Sequence, residues 1–300
     1  MSTFWGRLPT PAPNPWITMP RPARTSPRQI SWGRWRSFEF GAGTPWEIRS
    51  VEGLAAMPAI RSGDVDRNQM AGMWPGEDWE EGRSVTVEMR RLGCDDALDA
   101  VDELSEVVAS QQSEGELLIN DEWTLFCRPR RRDLRQEERF GPVLNATVQW
   151  EATDPRIYGV EQVAQATLVN ADDYGRDYPR EHPWMYEGSG RHSMILAHNT
   201  GRRPSWRIKA RIFGPCLDPG LRLVRQQLLL RFAIELEPGQ VLDVDFWRGS
   251  VELAGSTRYL ALTPTSTWWG LAPQNSNPVR FIAARYDREA RLELRWRSAW

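Results

Sequence analysis

The chain is predicted to be mainly β, with one helix in its first half and an antiparallel β-sandwich filling its second. Three observations carry this. Apolar and polar residues alternate with period 2 in many short stretches, a single stretch has helical period, and Gly, Pro and Asn clusters punctuate the second half at regular spacing. With 300 residues there is room for one large or two ordinary domains. A net charge of −2 gives neither a nucleic-acid footprint nor a general attraction to acidic membranes. Lys209 is the single lysine among 38 basic residues, a bias that a GC-rich genome produces and that also suits bidentate ion pairs at subunit contacts. Sixteen tryptophans is a high number, and asks for large buried surfaces within or between chains.

The amino-terminal stretch MSTFWGRLPTPAPNPW lacks a basic region followed by an apolar run, so no signal peptide is expected. From Leu8 to Pro27 come seven prolines, interleaved with Arg21 and Arg24 and followed by Arg28, which favours an extended course without a core. Such a segment is either a loose tail or an arm laid across a neighbouring subunit, anchored by Trp5 and Trp16. Short strands follow at Arg34–Phe40 and Trp46–Val51. Residues 53–66 and 72–82 read as turn-rich connections, the second carrying Trp74 and Trp79. In RSVTVEMRRLG, Val85, Val87 and Met89 share one strand face. The helix comes next, over Asp96–Ala109: Asp95 or Asp96 can cap it, and Leu98, Val101, Leu104 and Val108 form its apolar stripe.

LLINDEWTLFC reads as a hairpin turning at Asn120-Asp121. The charged run RPRRRDLRQEER, Arg128–Arg139, mixes Asp133, Glu137 and Glu138 among its arginines, and so is expected to be a charged loop or an inter-subunit salt-bridge belt rather than a phosphate site. The seam of the chain is Asn145–Gly159. There Ala146, Val148, Trp150 and Ala152 face one way, and Asp154-Pro155 ends the strand, with the Asp154 side chain capping the turn. Beyond it, strands are expected at 163–169, 193–197, 205–213, 222–236, 240–246, 250–253, 257–262, 279–285 and 292–296. Many short strands between Gly, Pro and Asn turns argue for a sandwich of jelly-roll kind. The apolar run Leu228–Leu236 is short and contains Arg231 and Glu235, so no membrane-spanning helix is expected.

Catalytic constellations are lacking. No P-loop, GxGxxG, GxSxG or HExxH motif occurs. His192 and His198 could share a strand face, but intervening turns and the want of a third ligand argue against a metal site, and no cofactor is implied. Asp243 and Asp245 read as the solvated side of a strand whose Leu242, Val244 and Phe246 point inward. Cys94, Cys127 and Cys216 lack CxxC spacing and read as free, partly buried thiols. The binding candidates are Trp268 and Trp269, whose rings can stack on a sugar or anchor a partner, with Arg258 beside them to hydrogen-bond hydroxyls. On a strand, one of the two tryptophans would be core and at most one exposed.

With these residues in hand, the chain resembles the distal tail proteins of long-tailed, siphovirus-type bacteriophages, called minor tail proteins in phages of actinobacteria. The resemblance runs from about Trp46 to Phe281. It rests on GLAAMPAIRSGD, on GMWPGEDWEEGRSVTVEM, on the helix 96–109, on Asp154-Pro155-Arg156-Ile157-Tyr158, on Asn199-Thr200-Gly201 before a strand ending Phe213-Gly214-Pro215, and on GSTRYLALTPTSTWWGLAPQNSNPVRF. The long Pro/Arg arm before Trp32 and the APQNSN turn depart from the family's pattern.

Composition sets off a Pro/Arg-rich arm over 1–33; the resemblance implies a ring-forming belt domain over 34–153 and a galectin-like sandwich over 154–300. It implies a homohexameric baseplate hub at the virion tail tip, made in the bacterial host cytoplasm. The hub would join the tail tube protein to tail-tip hub and receptor-binding proteins, without enzymatic activity, specific nucleic-acid binding or membrane insertion. The alternative is a cell-wall glycan-binding module acting in host adsorption. Galectins hold sugar with a His-Asn-Pro-Arg type strand; His198-Asn199 begins similarly but Thr200-Gly201 breaks it, so the fold by itself supplies no sugar site.

Overall fold

The computed structural model describes residues 30–92, 97–109, 113–137, 143–168 and 193–300. Most of the arm, the candidate helix caps Asp95 and Asp96, Cys94 and His192 lie outside the described residues. The first half contains β1 (Trp32–Trp35), β2 (Phe38–Gly41), β3 (Trp46–Glu52), the short β4 (Ile60–Arg61), β5 (Val65–Asp66), β6 (Met73–Trp74) and β7 (Trp79–Glu80), then β8 (Arg83–Leu92), α1 (Ala97–Val107), β9 (Gly115–Ile119), β10 (Trp123–Glu137) and β11 (Val143–Ala152). The second contains β12 (Tyr158–Thr167), β13 (Met194–Asn199), β14 (Ile208–Phe213), β15 (Cys216–Leu217), β16 (Gly220–Leu223), β17 (Leu228–Arg231), β18 (Glu235–Leu236), β19 (Val241–Asp245), β20 (Ser250–Leu253), β21 (Ser256–Thr257), β22 (Asn275–Ile282) and β23 (Arg291–Ala299). The chain is mainly β with a single α-helix among the described residues.

Strand β10 organises the first half, because it serves two layers. Its first residues, Trp123–Cys127, pair with β9, and β9 pairs with β1 and β1 with β2. Its later residues, Arg128–Glu137, pair with β11, followed by β8 and β3. Between these layers Trp35, Phe40 and Trp150 are buried, with the Trp150 ring stacked on Phe40 at 5.9 Å and tilted against Trp35 at 6.5 Å. Leu104 and Val108 of the predicted stripe close this core with Val101 partly buried against it, and Ala100, outside the stripe, is buried there too. Strand alternation holds in the seam: Ala146, Val148, Trp150 and Ala152 are buried and Glu151 is exposed.

The second half is also a sandwich, with β12-β23-β14-β19-β20-β21 as one layer and β13-β22-β16-β17 as the other. A separate core lies between them, containing Ile212, Leu221, Phe232, Trp269, Phe281 and Leu294. The first layer runs on into the first half through one ladder contact, Thr124 opposite Tyr158.

Five expectations need correcting. The stretch Arg34–Phe40 is not one strand but the turn of a hairpin, β1 to β2, with Trp35 opposite Phe38 and Arg36 at φ 54 between them. Of the run Arg128–Arg139, the described part, Arg128–Glu137, is strand and not a loop, because β11 supplies a ladder that the run's own composition does not reveal. The stretch 222–236 is not one strand but a hairpin, β16 to β17, with Leu223 opposite Leu228 and Gln227 at φ 58 in a turn that has no Gly or Pro to mark it. Residues 257–262 leave the sheet after Thr257 in a 3-10 turn, Tyr259–Ala261. Within 205–213, only Ile208–Phe213 is strand, with Ser205 bridged to Leu271. The predicted hairpin at Asn120-Asp121 forms, both residues having positive φ, 50° and 54°.

Cys127 and Cys216 are free and buried, as expected from their spacing. Burial, followed by the nearby Asp287 charge, pushes the Cys216 thiol from 9.0 up to about 11. Burial, followed by the Glu114 charge, raises Cys127 as well. Both folded-state values lie above those of the unfolded thiols, so this part of the stability is complete below about pH 9 and drains as the pH rises through the folded values, about 11 for Cys216. Each thiol should cost about 1.4 kcal/mol per pH unit in that window. The check is the urea midpoint followed from pH 8 to 10.5, expected to fall, together with an Ellman assay at pH 8 in which at most one of the three thiols reacts before unfolding.

Candidate functional site

Between Leu54 and Arg83 the chain leaves the sandwich as a finger. Four two-residue strands hold it, β4 on β7 and β5 on β6. Ladders this short are marginal without a supporting face. The finger nonetheless carries Met57, Val65, Met70, Met73, Trp74 and Trp79 exposed, Met70 at 70 % and Trp79 at 55 %. Apolar side chains concentrated on one projection mark a contact surface rather than scattered surface residues.

The finger's root is fixed by Arg83, which is 8 % exposed. Its guanidinium donates to the carbonyl oxygens of Gly53, Leu54 and Ala56 at 2.7–2.8 Å, and through Nε to that of Pro155 at 2.8 Å. One buried cation thus joins the start of the finger to the seam. Burial, followed by repulsion from Arg203, lowers the Arg83 pKa, while Glu80 raises it. Glu80 accepts a hydrogen bond from Arg203, which ties β7 to the second half. Gly53 has φ +83°, and a Cβ there would lie 2.0 Å from the Ser84 carbonyl oxygen, so the root has room only for glycine.

A second surface is built by the bulge in β10. Pro129 faces Trp150 and Arg131 faces Gln149, leaving Arg130 as the extra residue. A bulge interrupts alternation, and Arg130, Arg131 and Arg132 are all exposed in consequence. Beside them, the end of α1 and the strand enclose an open cavity of about 410 Å³ lined by Val108, Ala109, Pro129 and the three arginines.

At the seam, Asp154 is 3 % exposed and accepts hydrogen bonds from Tyr158 Oη and from the Arg156 backbone at 3.2 Å. The predicted cap is present. Arg207 comes from the second half and lies 3.7 Å from the Phe126 ring centroid, 4.2 Å from that of Trp247 and 5.6 Å from that of Tyr158, with Glu114 at 3.6 Å. Arg297 donates to Thr124 Oγ1 at 2.9 Å and to the Gly159 carbonyl at 3.2 Å.

The residues singled out for binding fall apart in space. Trp269 is buried, its ring edge-on to Phe246 at 4.7 Å; Trp268 is half-buried against the same phenylalanine at 5.4 Å. Arg258 is exposed and lines a different feature, an open cavity of about 630 Å³ with Glu235, Glu237, Gln240 and Leu260; neither tryptophan lines it. His198 is exposed, and no group of three metal-ligating side chains occurs among the described residues. Asp243 forms an exposed ion pair with Arg211 at 2.9 Å, and Asp245 accepts from the backbone of Trp247 and Arg248, so both have the solvated roles expected of them. Trp74 and Trp79 lie in a stretch that reads from sequence as a turn-rich connection; the signal that marks it otherwise is large apolar residues among glycines and carboxylates without any period that would bury them.

Two antiparallel sandwiches in series, with one α-helix among the described residues and a projecting finger, define the fold. It is the fold of the SPP1 Dit (gp 19.1) protein, a paradigm of the hub adsorption apparatus in phages infecting Gram-positive bacteria: TM-score 0.58 at 12 % identity, over 85 % of this chain and 93 % of that one. A chain of the phage P2 baseplate in its activated conformation with Ca is similar at TM-score 0.53 and 9 % identity, over 87 % of this chain and 93 % of that one. Another, from the baseplate with Sr, gives 0.50 at 10 % identity, over 86 % and 93 %. No family model and no curated protein matches the sequence.

Replacing Arg83 by Met should release the finger's root. The loss of charge-assisted hydrogen bonds is expected to lower unfolding free energy by about 1.5–3 kcal/mol, read by urea titration. Limited trypsin digestion should then cut after Arg61 and Arg67 faster than in the wild type.

Proposed function

We propose that this chain is a structural, non-enzymatic hub protein of a siphovirus-type phage tail tip. Six copies close into a ring through residues 34–153, at the distal end of the tail tube. Residues 154–300, a galectin-like sandwich, face the tail-tip hub and receptor-binding proteins. Synthesis takes place in the cytoplasm of the bacterial host, and the near absence of lysine fits a GC-rich actinobacterial one. The observation that carries this reading is the extent of the structural likeness, which covers 85 % of this chain and 93 % of the SPP1 hub protein. Ring closure needs two different complementary surfaces on each copy, and the exposed finger and arginine-bearing strand offer such a pair.

Light scattering of the purified protein over a range of concentrations tests the ring. A species near six times the 34.5 kDa chain mass, or growth toward it with concentration, is the expected outcome. A strict monomer at every concentration would count against it.

The open cavity containing Arg258, Glu235, Glu237 and Gln240 favours a second reading, glycan binding by the carboxy-terminal sandwich, since such groups can bind sugar hydroxyls. Titration with host cell-wall polysaccharide should then show binding that Arg258→Ala weakens at least severalfold. Equal binding by the variant would remove Arg258 from the site.

A further inference from the structure

Residues 60–81 of the finger contain six carboxylates, Asp64, Asp66, Glu77, Asp78, Glu80 and Glu81, against Arg61 and Arg67, a net charge of −4. Residues 130–135 of β10 contain Arg130, Arg131, Arg132 and Arg135 against Asp133, a net charge of +3. The two surfaces thus have opposite sign. Their surface chemistry also corresponds. The finger presents the exposed Trp79 directly after Glu77 and Asp78, whereas the β10 bulge borders a cavity with an apolar wall, Val108, Ala109 and Pro129, and a rim of three guanidinium groups. Such a cavity suits an aromatic ring flanked by carboxylates: the ring gains apolar contact and cation–π attraction, and the carboxylates gain arginine partners. Trp74 is a poorer candidate, because Arg67 of its own finger already lies 4.4 Å from its ring centroid. The ion pairs that the ledge arginines make within the chain, Arg130 with Glu151 and Arg135 with Asp133, are solvent-exposed and weak enough to be exchanged.

We propose that the finger of one copy docks on the β10 ledge of the next copy, with Trp79 in the cavity beside α1 and with Glu77 and Asp78 paired to Arg131 and Arg132. The proposal rests on the ring reading and identifies its heterologous contact. Both surfaces belong to every copy and differ from one another, so each copy is donor on one side and acceptor on the other, the condition for closure into a ring.

The test is a charge exchange in the full-length protein. One variant has Glu77→Arg and Asp78→Arg, the other Arg131→Glu and Arg132→Glu, and circular dichroism checks that both fold. Each variant by itself should associate at least about tenfold more weakly than the wild type by light scattering or sedimentation, since like charges then meet at the contact. Mixed one to one, they should associate again, because in an alternating ring every finger meets a ledge of opposite sign. Trp79→Ala should weaken association while leaving the fold intact. If the single variants assemble as the wild type does, or if the mixture fails to recover, the finger contact is overturned and the ring reading stands on other surfaces. A wild-type chain that never associates would count against both.

Discussion

The structure depends on the seam at Asp154–Tyr158. Two cores, each complete in itself, are joined where Thr124 of β10 meets Tyr158 of β12, and one ladder contact could not by itself fix their relation. Side chains make up the difference. Asp154 holds Tyr158 Oη, and Arg207 inserts its guanidinium among Phe126, Tyr158 and Trp247. Arg297 reaches across to Thr124 and Gly159, while Trp123 and Trp300 meet edge-on at 4.7 Å. A cation enclosed by rings and one carboxylate is costly to leave unpaired, so the arrangement is specific: displacing either sandwich would expose Arg207 or bury it without its rings.

The seam also determines where the finger starts. Arg83 uses its donors on Gly53, Leu54 and Ala56 on one side and on Pro155 on the other, so the finger's orientation is linked to the same turn that begins the second sandwich. A projection with little packing of its own needs a rigid base if it is to meet a partner in a fixed direction, and a buried arginine bound to four carbonyls provides one. The Glu80–Arg203 pair adds a further tie to the second half.

Tryptophan use follows this division. Trp35, Trp46, Trp150 and Trp269 are fully buried and fill cores, whereas Trp74 and Trp79 stand in solvent on the finger. The same residue type provides large apolar area inside a sandwich and an anchor outside it, and only burial distinguishes the two uses.

The sequence by itself determined whatever depends on local periodicity. Val85, Val87 and Met89, and Ala146 to Ala152, alternate strictly because one face of each strand is core, and that pattern placed β8 and β11 with the correct faces inward. The helix stripe and the Asp154 turn were legible for the same reason: each is set by neighbours within a few residues. What only the tertiary structure decided depends on distant partners. Arg128–Glu137 became strand because β11 lies alongside it, and the bulge after Pro129 exposed three successive arginines that alternation would have divided between two faces. Trp268, Trp269 and Arg258, close in sequence, separated because Phe246 drew the two rings toward the core while the 3-10 turn left Arg258 at another cavity. Arg207 gave no local sign at all, since its surroundings are assembled from Phe126, Tyr158 and Trp247, far apart along the chain and adjacent only after folding.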